Sequence, residues 1–134
     1  MNYVVINIIL NSILLGIILL TQFVNYPLFK KVNTDFENYH SDYTNRMGFV
    51  VGPVMMLELI FVILLLTNYD LSNNILVIAI STLLIWISTF FIQVPLHKKI
   101  AYKRDLRKIK KLILSNLIRT FLWTLKLFFS VLII

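Results

Sequence analysis

Trp86-Ile87-Ser88-Thr89-Phe90-Phe91-Ile92-Gln93-Val94-Pro95-Leu96-His97 runs down the end of one apolar segment and out into the most basic loop of the chain. In a helix, Trp86, Thr89, Gln93 and His97 fall at i, i+3, i+7 and i+11, which sets them in one stripe. Leu, Ile, Phe and Val make up the rest of its surface. A mostly apolar helix with one polar seam, ending in a histidine beside Lys98 and Lys99, has the character of a site wall at a membrane surface.

The rest of the chain agrees. Its 134 residues, 59% hydrophobic and 14% charged, suffice for one domain over residues 1–134. Soluble domains average about 45–50% apolar and about 25% charged residues, and a mean hydropathy of +0.85 lies outside that class. The apolar residues form blocks at about 4–24, 47–67, 75–94 and 112–134. Each can cross a hydrocarbon core of about 30 Å as a helix. The expectation is an all-α polytopic membrane protein, an antiparallel bundle of four transmembrane helices. Residues 1–24 lack a basic n-region and a small-residue cleavage site, so they read as a retained span rather than a signal peptide. No internal repeat and no low-complexity linker is read. The absence of cysteine excludes disulfides, iron–sulfur clusters, thiolate zinc sites and cysteine nucleophiles.

Loop charge sets the expected orientation. Residues 25–46 carry Lys30, Lys31 and Arg46; residues 95–111 carry Lys98, Lys99, Lys103, Arg104, Arg107, Lys108, Lys110 and Lys111; residues 68–74 and the N-terminus carry none. Both basic loops are expected in the cytoplasm and both termini outside, in a cell (inner or plasma) membrane. The net charge of +7 would suit nucleic acid, but its confinement to loops between spans argues for lipid. Anionic headgroups at 98–111 are the expected partner, and nucleic acid is not. Leu28, Phe29, Val32, Phe36, Tyr39 and Tyr43 recur at threes and fours, predicting an interfacial amphipathic helix between helices 1 and 2. Gly48 and Gly52 form a GxxxG pattern running into Pro53, which predicts a close helix crossing or a loosened turn.

Polar residues inside apolar spans are costly and mark bundle interiors. Glu58 lies 12 residues beyond Arg46, roughly 18 Å along a helix. Asn116, Arg119, Trp123 and Lys126 share one face of the fourth span, and Asn7, Asn11, Gln22 and Asn25 a stripe of the first. Arg119 is expected to reach Glu58. Two readings of that pair stand: an ion pair joining helices 2 and 4, or the floor of a polar cavity. The second places Asn25, Tyr26, His40, Tyr43, Gln93, His97 and Asn116 at or above the same level. The candidate catalytic residues are therefore Glu58, His97, Arg119 and His40. Trp86, Thr89, Gln93, Asn116, Trp123, Tyr43 and Arg46 are candidate substrate contacts, the last on the face His40-x-x-Tyr43-x-x-Arg46. Two histidines with Glu58 could hold iron as a 2-His-1-carboxylate set, His97 could ligate haem, or the group could move protons. The residues assign no metal or cofactor. Trp86 and Trp123 lie well inside their spans, where they either fill the core or stack on a planar ligand.

Taken together, Tyr26-Pro27-Leu28-Phe29, His40-x-x-Tyr43-x-x-Arg46, Pro53-x-Met55-x-x-Glu58, Trp86-x-x-Thr89-x-x-x-Gln93-x-Pro95-x-His97 and Asn116-x-x-Arg119-Thr120-x-x-Trp123 carry a resemblance. The chain resembles, over nearly its whole length, a family of small bacterial four-helix membrane proteins of unassigned function. More loosely, its layout and the Asn-x-x-Arg-Thr start of the last helix resemble the anthrone oxygenase-like membrane proteins, which act on flat polycyclic phenols. That second resemblance implies Trp86 and Trp123 stacking on a planar substrate, with His97, Arg119 and Glu58 handling protons and oxyanions. Three functions follow as expectations. The first is an oxygenase-like or oxidoreductase enzyme acting on a small lipophilic molecule. The second is a small transporter, and the third a non-catalytic subunit or assembly factor in a homo-oligomer or larger complex.

Overall fold

The computed structural model describes residues 2–134. Four helices carry the chain: α1 Tyr3–Leu28, α2 Phe36–Asn68, α3 Asn73–Tyr102 and α4 Leu106–Val131, each long and apolar enough to cross a membrane. This is an all-α, multi-pass membrane protein. α1 packs on α2 and α4, and α3 packs on the same two, so α1/α3 and α2/α4 are the diagonals of an antiparallel bundle. Large apolar side chains such as Ile9, Phe23, Leu83, Phe91 and Phe121 point outward, as expected where lipid tails are the solvent.

Three of the four helix starts, those of α1, α3 and α4, are capped by side chains. Asn2 Oδ1 accepts the Val4 and Val5 amides, Ser72 Oγ that of Ile75, and Asp105 Oδ1 those of Arg107 and Lys108. These bonds satisfy amides that a helix leaves free in its first turn. The Arg107 amide is the main cause holding the Asp105 carboxyl below its ordinary range. α2, at 33 residues, is about 50 Å long, well beyond a hydrocarbon core of about 30 Å. Phe36–Tyr43 are its first turns. Of the amphipathic stretch expected as a separate interfacial helix, Leu28 ends α1, Phe29 and Val32 lie in the connection, and Phe36, Tyr39 and Tyr43 are continuous with the second span, which also absorbs Pro53.

α1 and α3 each widen into one π-helical turn, Thr21–Asn25 and Thr89–Gln93. Each turn ends just ahead of a proline, Pro27 or Pro95, which has no amide to give and whose ring would strike the carbonyl four residues back. Widening by one residue relieves that clash. The two turns expose a short internal repeat where none was expected. Thr21-Gln22-Phe23-Val24-Asn25-Tyr26-Pro27-Leu28-Phe29-Lys30-Lys31 aligns with Thr89-Phe90-Phe91-Ile92-Gln93-Val94-Pro95-Leu96-His97-Lys98-Lys99. Thr21/Thr89, Phe23/Phe91, Pro27/Pro95, Leu28/Leu96 and both lysines are identical. Thr21 and Thr89 even make the same bond, hydroxyl to the carbonyl four residues back at 2.8 Å.

Two apolar clusters hold the bundle. One, at the basic end, is built on Phe29, Phe36, Leu96, Ile100, Ile109 and Leu112; the other, deeper, on Leu14, Ile18, Met55, Ile85, Leu122 and Trp123. The polar layer lies between them.

Candidate functional site

Between the clusters is a cavity of about 500 Å³, lined by all four helices. Its walls are mostly apolar: Leu14, Ile17 and Ile18 from α1, Met47, Val51 and Met55 from α2, and Phe90 and Val94 from α3. Polar groups converge from the π-turns and from α4: Thr21, Tyr26, Thr89, Gln93, His97 and Arg119. The π-turns matter because each extra residue re-aims the side chains that follow it on the helix.

Arg119 is buried, at 8% exposure. Its Nε donates to Asn116 Oδ1 at 3.1 Å and its Nη1 to Thr89 Oγ1 at 3.3 Å, while Nη2 also meets Asn116 Oδ1. Asn116 in turn donates to Gln22 Oε1 at 2.9 Å, and Gln22 donates to the Ile113 carbonyl. Every partner is neutral. The guanidinium offers five N–H groups, so this scaffold fixes it and leaves two free. It also lies 6.0 Å from the Trp123 ring centroid. Gln93 donates to Ser115 Oγ at 2.9 Å, but its Oε1 is buried with no partner.

The expected Glu58–Arg119 pair does not form. Glu58 Oε1 meets Lys126 Nζ at 2.6 Å and accepts the Trp123 indole N–H at 3.2 Å. The Lys126 contact is a charge contact whose angles fall outside hydrogen-bond geometry. Glu58 therefore stands behind Trp123 and away from the cavity wall. The reason is axial. Arg119 and Lys126 share a face of α4 but sit seven residues apart, about 10 Å, and only Lys126 is level with Glu58. Beyond it, Ser130, Asn7 and Asn11 bond one another at 3.1–3.3 Å.

At the basic end a short relay crosses the α1/α3 diagonal. The Tyr26 hydroxyl lies 2.9 Å from His97 Nε2, and His97 Nδ1 lies 2.9 Å from His40 Nε2. The rings of His40 and His97 stack at 5.0 Å. Tyr26, which the sequence sets at the level of the polar residues, is the first link of this relay, and its hydroxyl also lies close to Arg119. His40 is fully buried behind His97, stacked on Phe36. The two histidines bond each other, and no three His, Cys, Asp or Glu side chains gather at ligand spacing among the described residues. The 2-His-1-carboxylate set is not assembled here, because Glu58 is committed to Lys126.

Of the candidate residues, His97, Arg119, Trp86, Thr89, Gln93, Tyr43 and Trp123 line the cavity. Tyr43 accepts from Asn25 at 3.3 Å, and Trp86 stacks on Phe90 at 5.4 Å. His40 and Asn116 support the lining from behind, Glu58 lies deeper, and Arg46 is exposed on the outside of α2. Gly48 and Gly52 face the cavity, and a Cβ at either would meet nothing within 4 Å. The close helix crossing expected of them is therefore absent. Comparison with protein-family models, curated proteins and solved structures finds no match for this chain.

Proposed function

We propose that this protein is an enzyme of the cell membrane, its basic end in the cytoplasm, that binds a small lipophilic molecule with an acidic or phenolic head and moves a proton at that head. One observation carries the reading. Arg119 is a buried cation with no carboxylate partner among the described residues, set in the wall of an otherwise apolar cavity. A buried charge without a counter-ion is unfavourable; an oxyanion on the ligand would supply one. His97 and Tyr26 beside it form a donor–acceptor pair that can take a proton and hand it on. The resemblance to anthrone oxygenase-like proteins supports a planar phenol as ligand and, with dioxygen as the oxidant, oxygenation as the reaction class. The eight basic residues of 98–111 would hold this end of the bundle at anionic headgroups.

Both tryptophans of the chain line the cavity, so intrinsic fluorescence reports on this site. A monohydroxyanthrone added to protein in nanodiscs should quench it, with the absorption band of the deprotonated ligand appearing on binding. Arg119→Gln should weaken binding about 10- to 100-fold, the worth of a charge-assisted hydrogen bond of about 1.5–3 kcal/mol. His97→Gln should bind but lose the anion band. Absence of quenching in the wild type would sink the reading.

One observation favours transport as a second reading. Asn116, Arg119, Trp123, Lys126 and Ser130 are all buried along α4 and carry polarity from the cavity toward the far end of the bundle. Proton-coupled uptake into proteoliposomes that depends on Glu58 would favour it over catalysis.

A further inference from the structure

We infer that the cavity is filled sideways from the bilayer, through a window between α2 and α3 framed by Gly48, Gly52 and Phe90, and that its ligand is an amphiphile dissolved in the membrane. This rests on the proposed head-group site at Arg119 and names how that site is reached.

The window follows from where helices touch. α3 approaches α2 along Asn73–Ser88 and again along Val94–Tyr102, but nowhere along the π-turn Thr89–Gln93. The widened turn thus sits over a gap. Of the cavity-lining residues, those from α1 are buried or half-buried, whereas Gly48, Phe90 and Lys98 are exposed. The opening therefore lies on the α2–α3 side.

The glycines have no packing role that explains them. A Cβ at Gly48 or Gly52 would enter open space, and glycine is a poor residue for a helix interior. What they supply is an unfilled strip of helix surface opposite Phe90, which is 56% exposed. A methyl would fit there, while a large side chain would obstruct the strip.

The chemistry changes from the frame inward. At the window Phe90, Val94, Met47 and Val51 present hydrocarbon. Inside, Arg119 offers free N–H groups, and Gln93 Oε1 is an acceptor with no partner, on a residue only 2% exposed. A head pairing an anionic oxygen with an O–H or N–H donor would satisfy both. An apolar body would occupy the rest of the cavity, with its tail leaving through the window into lipid. Lys98, on the rim nearest the basic end, lies where a headgroup would first meet the frame.

The test uses the full-length protein in phosphatidylcholine nanodiscs, read by the Arg119-dependent part of tryptophan quenching. A long-chain probe, a dibrominated hydroxystearic acid, is dissolved in the lipid. A short one, bromohexanoic acid, is added from water. Gly48→Leu and Gly52→Leu should weaken long-chain quenching at least tenfold while short-chain quenching changes less than twofold. Gly48→Ala and Gly52→Ala should match the wild type for both probes, and none of the four should unfold earlier than the wild type, since the added Cβ meets no atom within 4 Å and alanine and leucine both suit a helix interior better than glycine. Leucine variants that bind the long probe as the wild type does would overturn the window. So would long-chain quenching absent from the wild type. If the short probe still quenches in an Arg119-dependent way in that case, the head-group site stands and only the bilayer route falls. If neither probe quenches, both fail.

Discussion

Two buried cations lie on one face of α4, seven residues apart, and the molecule treats them differently. Lys126, fully buried, meets Glu58 at 2.6 Å. Arg119, almost as buried, meets only amide and hydroxyl oxygens. Lys126 has a counter-ion from α2 and closes the α2/α4 diagonal. The Arg119 charge is oriented by neutral groups and left open to a cavity. The difference separates a charge that holds helices together from one that waits for a ligand, which residue type and burial alone would not do.

Breaking the paired cation should have the largest effect. Glu58→Gln leaves the Lys126 ammonium buried without a counter-charge and should cost about 3–5 kcal/mol of stability, the usual penalty for splitting a buried pair. Unfolding in detergent measures it. The double variant Glu58→Gln with Lys126→Met should recover most of the loss, because the penalty comes from the orphaned charge rather than from the pair's net worth. A single variant as stable as the wild type would mean Glu58 is not the counter-ion. Arg119→Gln should behave the other way. It removes a charge that nothing neutralises, so the unfolding midpoint should hold or rise while ligand affinity falls about 10- to 100-fold. A variant that unfolds early yet binds normally would erase the distinction between the two cations.

A finer contrast lies between the two copies of the eleven-residue pattern. Both build a π-turn ahead of proline and end in a lysine pair, so the backbone device is shared. The chemistry lies in the positions that differ. Phe29, fully buried, is ringed by Phe36, Tyr39, His40 and Tyr43 and acts as a plug. Its counterpart His97 lines the cavity. Tyr26 reaches His97, and its counterpart Val94 contributes only apolar wall. The conserved threonines give the sharpest test. Both return a bond to the preceding turn, but only Thr89 also accepts from Arg119. Thr89→Val should weaken ligand binding about five- to tenfold, for a hydrogen bond worth about 1–1.5 kcal/mol, and Thr21→Val less than twofold. Equal losses would mean that the threonines serve the turns alone.

The four spans were legible because length and apolarity are properties of contiguous sequence. The Glu58 partner was not. Arg119 and Lys126 differ by about 10 Å along α4, and choosing between them requires the axial offset of α2 against α4. That offset depends on where α2 begins, and it begins at Phe36, with its first turns hidden in what reads as an interfacial segment. Pro27 follows Tyr26 directly, yet the helix widens and continues, which turns the Tyr26 hydroxyl toward His97. The repeat escaped because it covers eleven residues within chains of otherwise interchangeable Leu, Ile, Val and Phe. The sign that could have found it was the matched spacing of Thr, Pro and the lysine pair.

The smallest expected effect lies at the start of the helix that carries both cations. Asp105 Oδ1 accepts the Arg107 and Lys108 amides at 2.8 and 3.4 Å, and Oδ2 lies 3.6 Å from Lys108 Nζ. These contacts favour the charged carboxylate, with the Arg107 amide first among them, and hold its pKa below the ordinary value. A depressed pKa in the folded state means that the stabilisation is present above the unfolded value of about 3.9 and is lost as pH falls through the lower folded value. Asp105→Ala should therefore lower the unfolding midpoint slightly at neutral pH, with the gap to wild type closing as pH falls through the lowered folded-state value. Asp105→Asn keeps a neutral acceptor at every pH, so its gap to wild type should start smaller and, shifting with pH by the same amount, reverse in acid. Ligand binding at Arg119 should be untouched in both, because the cap sits on the first turn of α4 and Arg119 is held from its own level by Asn116 and Thr89. A binding loss in Asp105→Ala would instead mean that the axial position of α4 is set from its N-terminus, which would put both cations under the control of that one cap.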